Sequence, residues 1–257
     1  MSKAKLEQAI HSTLNKGEKA FVPYIMAGDG GLEKLEDQIL FLQEAGATAI
    51  ELGIPFSDPV ADGPTIQEAG KRALSADTSL SGVLKCLFTF KERLDVPIIL
   101  MTYINPIFIF GVEEFAKECR NSGVSGVIVP DVPVEEMDIL ADALKKSEIA
   151  LIQLATLTST LERIKKIASL SEGFLYAVTV KGITGTRNGF GNEVGDYLER
   201  IKKVSPVPVL AGFGISSPEQ VKAMAGYCDG VIVGSKIIEL IQNKDEKAIQ
   251  NLVTAVK

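Results

Sequence analysis

The chain has 257 residues, with 27 basic and 33 acidic side chains, a formal net charge of −6, one histidine, three cysteines and no tryptophan. A chain of this length needs no disulfide or metal staple, and its acidic balance excludes a general nucleic-acid binder, which neutralises phosphates with clustered Lys and Arg. The lone His11 cannot build a zinc or iron site that needs two or three imidazoles, so proton chemistry falls to carboxylates, tyrosines or lysines.

The start, Met-Ser-Lys-Ala-Lys-Leu-Glu, lacks the apolar core of a signal peptide. No run of ~18 apolar residues is long enough to span a bilayer, so a cytoplasmic chain is expected. The segment before Phe21 reads as an amphipathic helix that could plug the bottom of a barrel. Short Val/Ile/Leu-rich runs then predict strands over Phe21–Ala27, Ala49–Leu52, Pro97–Thr102, Val127–Val129, Ala150–Leu154, Phe174–Val178, Val207–Gly212 and Gly230–Val233. Between them apolar residues return every three or four positions, as over Leu35–Ala45, Val134–Lys146 and Leu161–Leu170, which is helical spacing. The wide gap before Pro97 holds two such patterns, Pro64–Leu74 and Ser81–Lys91. Apolar strands alternating with helices indicate a parallel sheet covered by helices. An open doubly wound sheet competes with a closed barrel. The count of units, with no stretch marking a second domain, favours a single (β/α)₈ TIM barrel over residues 1–257, with an extra N-terminal helix and an additional helix after the second strand. Cys86, Cys119 and Cys228 show no CxxC spacing and read as small buried hydrophobes.

In such a barrel the chemistry sits at the C-terminal ends of the strands. Strand alternation places Ala49 and Glu51 on one face, with Ile50 and Leu52 on the other. If the isoleucine and leucine meet the helices, Glu51 points into the barrel, where desolvation raises its pKa toward the range of a general acid or base. The alternative is a strand-end glutamate paired with Lys or Arg or facing water. Asp62 follows eleven residues on, across a loop bearing Pro55 and Pro59. It is equally readable as a site residue or as the N-cap of a helix that opens Gly63-Pro64. Asp58 reads as a turn residue.

Late in the chain, Ala211-Gly212-Phe213-Gly214 follows the seventh strand and Val233-Gly234-Ser235 follows the eighth. Glycines there, with a helix start and a hydroxyl, fit a phosphate site, although glycines also make plain tight turns. The stretch from Lys181 to Gly191, polar and glycine-rich, reads as a lid or as a functionless insertion. Tyr176 could present its hydroxyl beneath it.

These residues resemble a known family along essentially the whole chain: the tryptophan synthase α subunits. The segment Glu51-Leu52-Gly53-Ile54-Pro55-Phe56-Ser57-Asp58-Pro59-Val60-Ala61-Asp62-Gly63-Pro64-Thr65-Ile66-Gln67 is similar to the family signature. Phe21-Val22-Pro23-Tyr24, Asp131-Val132-Pro133-Val134-Glu135-Glu136, Gly182-Ile183-Thr184-Gly185 and Gly212-Phe213-Gly214-Ile215-Ser216 support it in order. The resemblance implies retro-aldol cleavage of indole-3-glycerol phosphate to indole and glyceraldehyde 3-phosphate. It implies Glu51 as general acid/base and Asp62 as acceptor of the ring N–H. Gly185, Gly214, Gly234 and Ser235 become phosphate ligands, Tyr24, Tyr103, Ile128, Tyr176 and Phe213 line the indole pocket, and Thr184 closes the lid toward Asp62. A raised pKa suits Glu51 and a low one Asp62. No metal or cofactor is implied in this chain; pyridoxal phosphate belongs to a β subunit, the partner in an α₂β₂ heterotetramer. Ile104-Asn105-Pro106-Ile107-Phe108-Ile109-Phe110 and the Pro55–Pro59 loop are implied to face that partner. Tyr24 stands where the family commonly has phenylalanine. Two other readings remain: a barrel that mainly binds and activates the β subunit, and another phosphosugar enzyme on the same fold.

Overall fold

The computed structural model describes residues 2–179, 192–212 and 214–257. Its strands are β1 (Ala20–Met26), β2 (Ile50–Gly53), β3 (Ile98–Met101), β4 (Val124–Ile128), β5 (Ala150–Leu151), β6 (Gln153–Thr156), β7 (Leu175–Val178), β8 (Val209–Gly212) and β9 (Gly230–Val233). They form one parallel sheet in the order β5-β4-β3-β2-β1-β9-β8-β7-β6. The two ends of that order, β5 and β6, are separated in sequence by Ile152 alone. Its N–H donates to Val127 O at 3.0 Å. The sheet therefore closes on itself as a barrel of eight staves, one of them broken in the middle.

Helices α1 (Ser2–Asn15), α2 (Leu35–Glu44), α3 (Pro64–Ser75), α4 (Leu80–Phe90), α5 (Ile104–Phe110) and α6 (Val112–Asn121) accompany the first half. The second half carries α7 (Asp138–Lys146), α8 (Leu161–Leu170), α9 (Asn192–Val204), α10 (Pro218–Ala225), α11 (Ser235–Gln242) and α12 (Glu246–Thr254). The expected extra helix after β2 is present as α3 and α4. Among the described residues no helix is long and apolar enough to cross a membrane.

Alternation along the strands builds two apolar layers. Ile50, Leu52, Ile98, Leu100, Val231 and Val233 join the layer between sheet and helices. Ala49, Ile99, Met101, Ile128, Leu210 and Ile232 join the barrel interior. The lower opening is filled by α1, whose Leu6 and Ile10 are fully buried in the interior cluster. Leu6 fits because Gly126 and Gly173 face it; a Cβ at Gly173 would stand 2.8 Å from Leu6 Cδ2. The expected plug is thus what the N-terminal helix forms.

Most strand bounds differ from the sequence expectation by one or two residues, and two element boundaries differ by three residues or more. β4 starts at Val124, ahead of the expected Val127, because its register slips between Ile98 and Ile99. The slip sets Ser125 into a bulge, and a Ser-Gly pair hides a strand from an apolar-run reading. Helix α7 begins at Asp138 instead of Val134, since the chain first makes a turn in which Glu136 N–H donates to Pro133 O at 2.9 Å.

Candidate active site

Parity brings Glu51 to the inside of the barrel mouth, in register with Tyr24 of β1 and Ile99 of β3. The residue is 1% exposed, and its Oε2 has no hydrogen-bond partner. The ion-paired or water-facing alternative is not what the structure shows. Burial, reinforced by the Asp62 carboxylate, pushes its pKa up to about 8, so the carboxyl holds a proton at neutral pH.

Asp62 arrives from outside the barrel on the loop that leaves β2. Ala61 N–H donates to the Tyr103 hydroxyl at 3.0 Å, and that hydroxyl lies near enough to the Asp62 carboxylate to hold its pKa down. Gln67 Nε2, one turn into α3, donates to the Asp62 main-chain oxygen at 2.8 Å. The helix-cap alternative does not hold: Gly63 occupies the N-cap, with no side-chain cap hydrogen bond and Pro64 just inside the helix. Burial pushes Asp62 up to about 6, with the Tyr103 hydrogen bond pulling the other way. The low value expected from its role is therefore not met, because one phenol does not offset desolvation and no cation among the described residues bears on the group. The order of ionisation survives. Asp62 loses its proton while Glu51 is still neutral, and Glu51 then titrates against a charge already in place. The pair shares the site as two groups with separated apparent pKa values.

Glu51 and Asp62 are the only buried side chains of Asp, Glu, Lys, Arg or His among the described residues. That singles them out from every other carboxylate on the surface.

Tyrosines wall the pocket. Tyr24 on β1 and Tyr176 on β7 are both buried in the interior cluster. Each leans across the mouth onto the neighbouring strand, where a glycine leaves room. A Cβ at Gly53 would overlap the Tyr24 hydroxyl, and one at Gly212 would overlap the Tyr176 ring. The pattern repeats: each tyrosine's register partner, Glu51 or Leu210, lies two residues before the glycine. Burial raises both phenols well above the ordinary range, with Asp62 and Glu51 adding to it. Tyr103, between β3 and α5, packs its ring on Phe56 at 5.2 Å between centroids. Ile128 closes β4 on the same inner face. Phe213, Thr184 and Gly185 lie outside the described residues.

At the far side of the mouth, Gly214 is exposed with φ +78°, a conformation natural to glycine. Gly234 is the N-cap of α11 and Ser235 is exposed at its first turn. A Cβ at Gly234 would sit 3.6 Å from both Tyr24 Cβ and Ile66 Cδ1. The start of α11 therefore borders the same pocket as the two carboxylates. Unpaired N–H groups of a first helical turn favour an anion there.

The signal that sequence reading missed is the Tyr103 hydroxyl, which holds the loop at Ala61 and bears on the Asp62 carboxylate. Nothing local announces a contact spanning forty residues. Two clefts elsewhere, of about 300 and 310 Å³, flank α1 at the opposite end of the barrel. They share no residue with the carboxylate pair.

The family model described as "Tryptophan synthase alpha chain" matches residues 10–257. The chain belongs to the tryptophan synthase alpha chain family. A tryptophan synthase alpha chain of Bacillus mycoides (strain KBAB4) is 54% identical over 250 residues, covering 97% of each chain. The crystal structure of the tryptophan synthase alpha subunit from Legionella pneumophila str. Paris superposes with a TM-score of 0.88 at 32% identity, covering 98% of both chains. A chain of ligand-free tryptophan synthase from M. tuberculosis gives 0.89 at 29% identity, again covering 98% of both. The chain is accordingly a lyase of tryptophan biosynthesis that cleaves indole-3-glycerol phosphate to indole and glyceraldehyde 3-phosphate.

Proposed function

We propose that Glu51 and Asp62 carry this cleavage. The observation that supports it is the pair itself: two carboxyls buried in one pocket, one neutral and one anionic near pH 7. Protonated Glu51 gives its proton to C3 of the indole ring, and the positive charge that appears on the ring nitrogen lies against anionic Asp62. Glu51, now a carboxylate, takes the proton of the side-chain hydroxyl. The O–H electrons form the aldehyde C=O, the carbon–carbon bond breaks, and its electrons return to the ring to neutralise the nitrogen. Glu51 ends as it began, protonated, and no outside acid or base is consumed.

Tyr24, Tyr103, Ile128, Tyr176 and Phe213 hold the indole, while Gly185, Gly214, Gly234 and Ser235 hold the phosphate and Thr184 closes toward Asp62. Remote phosphate binding then fixes the reacting carbons against Glu51. Indole leaves toward a β subunit in an α₂β₂ assembly, which holds the pyridoxal phosphate of the second half-reaction. The rim fits such a cover. Val60, Phe108 and Ile109 are 75%, 50% and 90% exposed, and the Ala61–Tyr103 hydrogen bond sets the Val60 loop beside α5. A cytoplasmic, one-domain chain with no cofactor of its own completes this reading.

The test is indole release from indole-3-glycerol phosphate by the purified chain, titrated with β subunit. Glu51→Gln abolishes release while glyceraldehyde 3-phosphate still binds. Substantial turnover by that variant defeats the assignment of Glu51. Turnover only with β subunit present favours the partner-activating alternative.

A further inference from the structure

Helices α3 and α11 lie beside each other at the barrel mouth. Ala69 and Ala73 of α3 and Ile238 of α11 belong to the interior cluster that holds Tyr24 and Met26. A Cβ at Gly70 would sit 3.6 Å from Met26 Cε, so α3 packs across the end of β1. The two helices start together at the pocket, where Ile66 stands beside Gly234. Their last turns meet at one carboxylate. Arg72 Nε and Nη2 donate to Asp29 Oδ1 and Oδ2 at 2.7 and 2.8 Å, and Gln242 Nε2 reaches Oδ2 at 3.4 Å. The mechanism above makes no use of this junction.

Asp29 belongs to neither helix. It sits on the loop that leaves β1, where its N–H donates to Met26 O at 3.2 Å and Gly31 N–H donates to Gly28 O at 3.0 Å. Gly28, with φ +78°, lies so close to Thr78, just past α3, that a Cβ there would overlap the threonine hydroxyl. The carboxylate is thus anchored to the barrel wall. Its side chain is 15% exposed against 43% for Arg72. A single contact between exposed charges contributes little, but a two-bond fork also fixes direction. The neighbouring charge one turn back on α3, Glu68, pairs with Lys71 at 2.7 Å.

Resting on the roles just given to Glu51, Asp62 and the start of α11, we propose that Asp29 is a positioning residue. By holding the far ends of α3 and α11 to the barrel wall, it sets the Asp62 turn against the phosphate end of the pocket. The coupling runs through α3. Gln67 Nε2 donates to Asp62 O at 2.8 Å, and Gln67 N–H donates to Gly63 O at 2.9 Å, so the turn moves with the helix. Twelve residues make a rod of about 18 Å, and a small tilt at its Arg72 end is felt at the Asp62 end. Phosphate binding can speed cleavage only while the span from phosphate to carboxylates is fixed.

The test is a double-mutant cycle read in two ways. Indole release gives kcat and KM for wild type, Asp29→Asn, Arg72→Gln, the double variant and Asp62→Asn. Inhibition by glyceraldehyde 3-phosphate reports the phosphate end by itself. Each single variant should lose about tenfold in kcat, while its inhibition constant for glyceraldehyde 3-phosphate moves by less than about twofold. The double variant should lose no more than either single one, because the second change finds the junction already broken. The proposal is overturned if kcat is unchanged, or if the two losses multiply to about a hundredfold. It is also overturned if affinity for glyceraldehyde 3-phosphate falls in step with kcat. Urea unfolding establishes that each variant is folded. Should Asp29→Asn not fold, Arg72→Lys, which keeps the charge and gives up the fork, takes its place and is judged in the same way. A wild type without activity, or an Asp62→Asn variant with full activity, defeats the reading of the site itself. An active wild type, a crippled Asp62→Asn and an Asp29→Asn variant with wild-type kcat defeat only the role of Asp29.

Discussion

Glu51→Gln should stabilise the protein in alkali while destroying its activity. The wild-type carboxyl is raised from 4.5 to about 8 on folding, so the folded chain keeps a proton that the unfolded chain has released. Stability from this group is whole below pH 4.5 and drains away as pH rises to 8. With 1.36 kcal/mol per unit, the full loss is about 5 kcal/mol, and about 4 kcal/mol of it falls between pH 5 and pH 9. Water entering the pocket mouth and movement of the carboxylate reduce this ceiling. The amide that replaces the Glu51 carboxyl does not titrate, so the variant's stability lacks that slope. The assay is urea unfolding of both proteins at pH 5 and pH 9. The change between the two pH values should be smaller in the variant by at least about 2 kcal/mol, seen thermally as about 4–8 °C. The double difference cancels whatever the amide costs in packing. If the two proteins lose stability in parallel, to within about 0.5 kcal/mol, Glu51 is not held neutral by burial and the proton assignment fails.

The kcat/KM of the wild type should be bell-shaped, rising as Asp62 ionises near 6 and falling as Glu51 loses its proton near 8; a profile flat from 5 to 9 contradicts the pairing of roles. Gly53→Ala and Gly212→Ala should each drive a tyrosine out of place, since the new Cβ would stand 2.5 Å from Tyr24 Cζ or 2.6 Å from Tyr176 Cζ. Indole release should fall at least tenfold in each, and a crystal structure should show the ring displaced. Leu6→Ala leaves a void at the bottom of the barrel, fully buried in the parent, and should cost about 2–5 kcal/mol in urea unfolding. Its kcat should change little, because the plug lies at the far end from the carboxylates.

What the sequence made legible follows from which signals are local. The inward direction of Glu51 is a matter of parity over four residues, and parity is readable wherever apolar neighbours choose the other face. The barrel was legible for the same reason, since each strand carries its own period. Asp62 stood undecided because the dipeptide after it, Gly63-Pro64, also opens a helix; its partner in the structure is Tyr103, far along the chain. Tertiary contact resolved what local chemistry could not. β4 hid its start behind Ser125, where a bulge breaks the alternation on which strand reading depends. The rise of the Asp62 pKa to about 6 was illegible too, because it depends on how much water the closed loop excludes. By contrast Gly53 and Gly212 left a trace that could have been read: each stands at a strand end, two residues past the partner of an inward tyrosine.

The helix that seals the barrel floor precedes, in the order of synthesis, every strand it rests on. Leu6 finds its seat against Gly126 and Gly173, residues made long after it. Until they emerge, an amphipathic segment must wait with its apolar stripe uncovered, and contacts of such long sequence separation form slowly. Helix α1 is thus made before the strands it seals and is among the last elements to acquire all its neighbours.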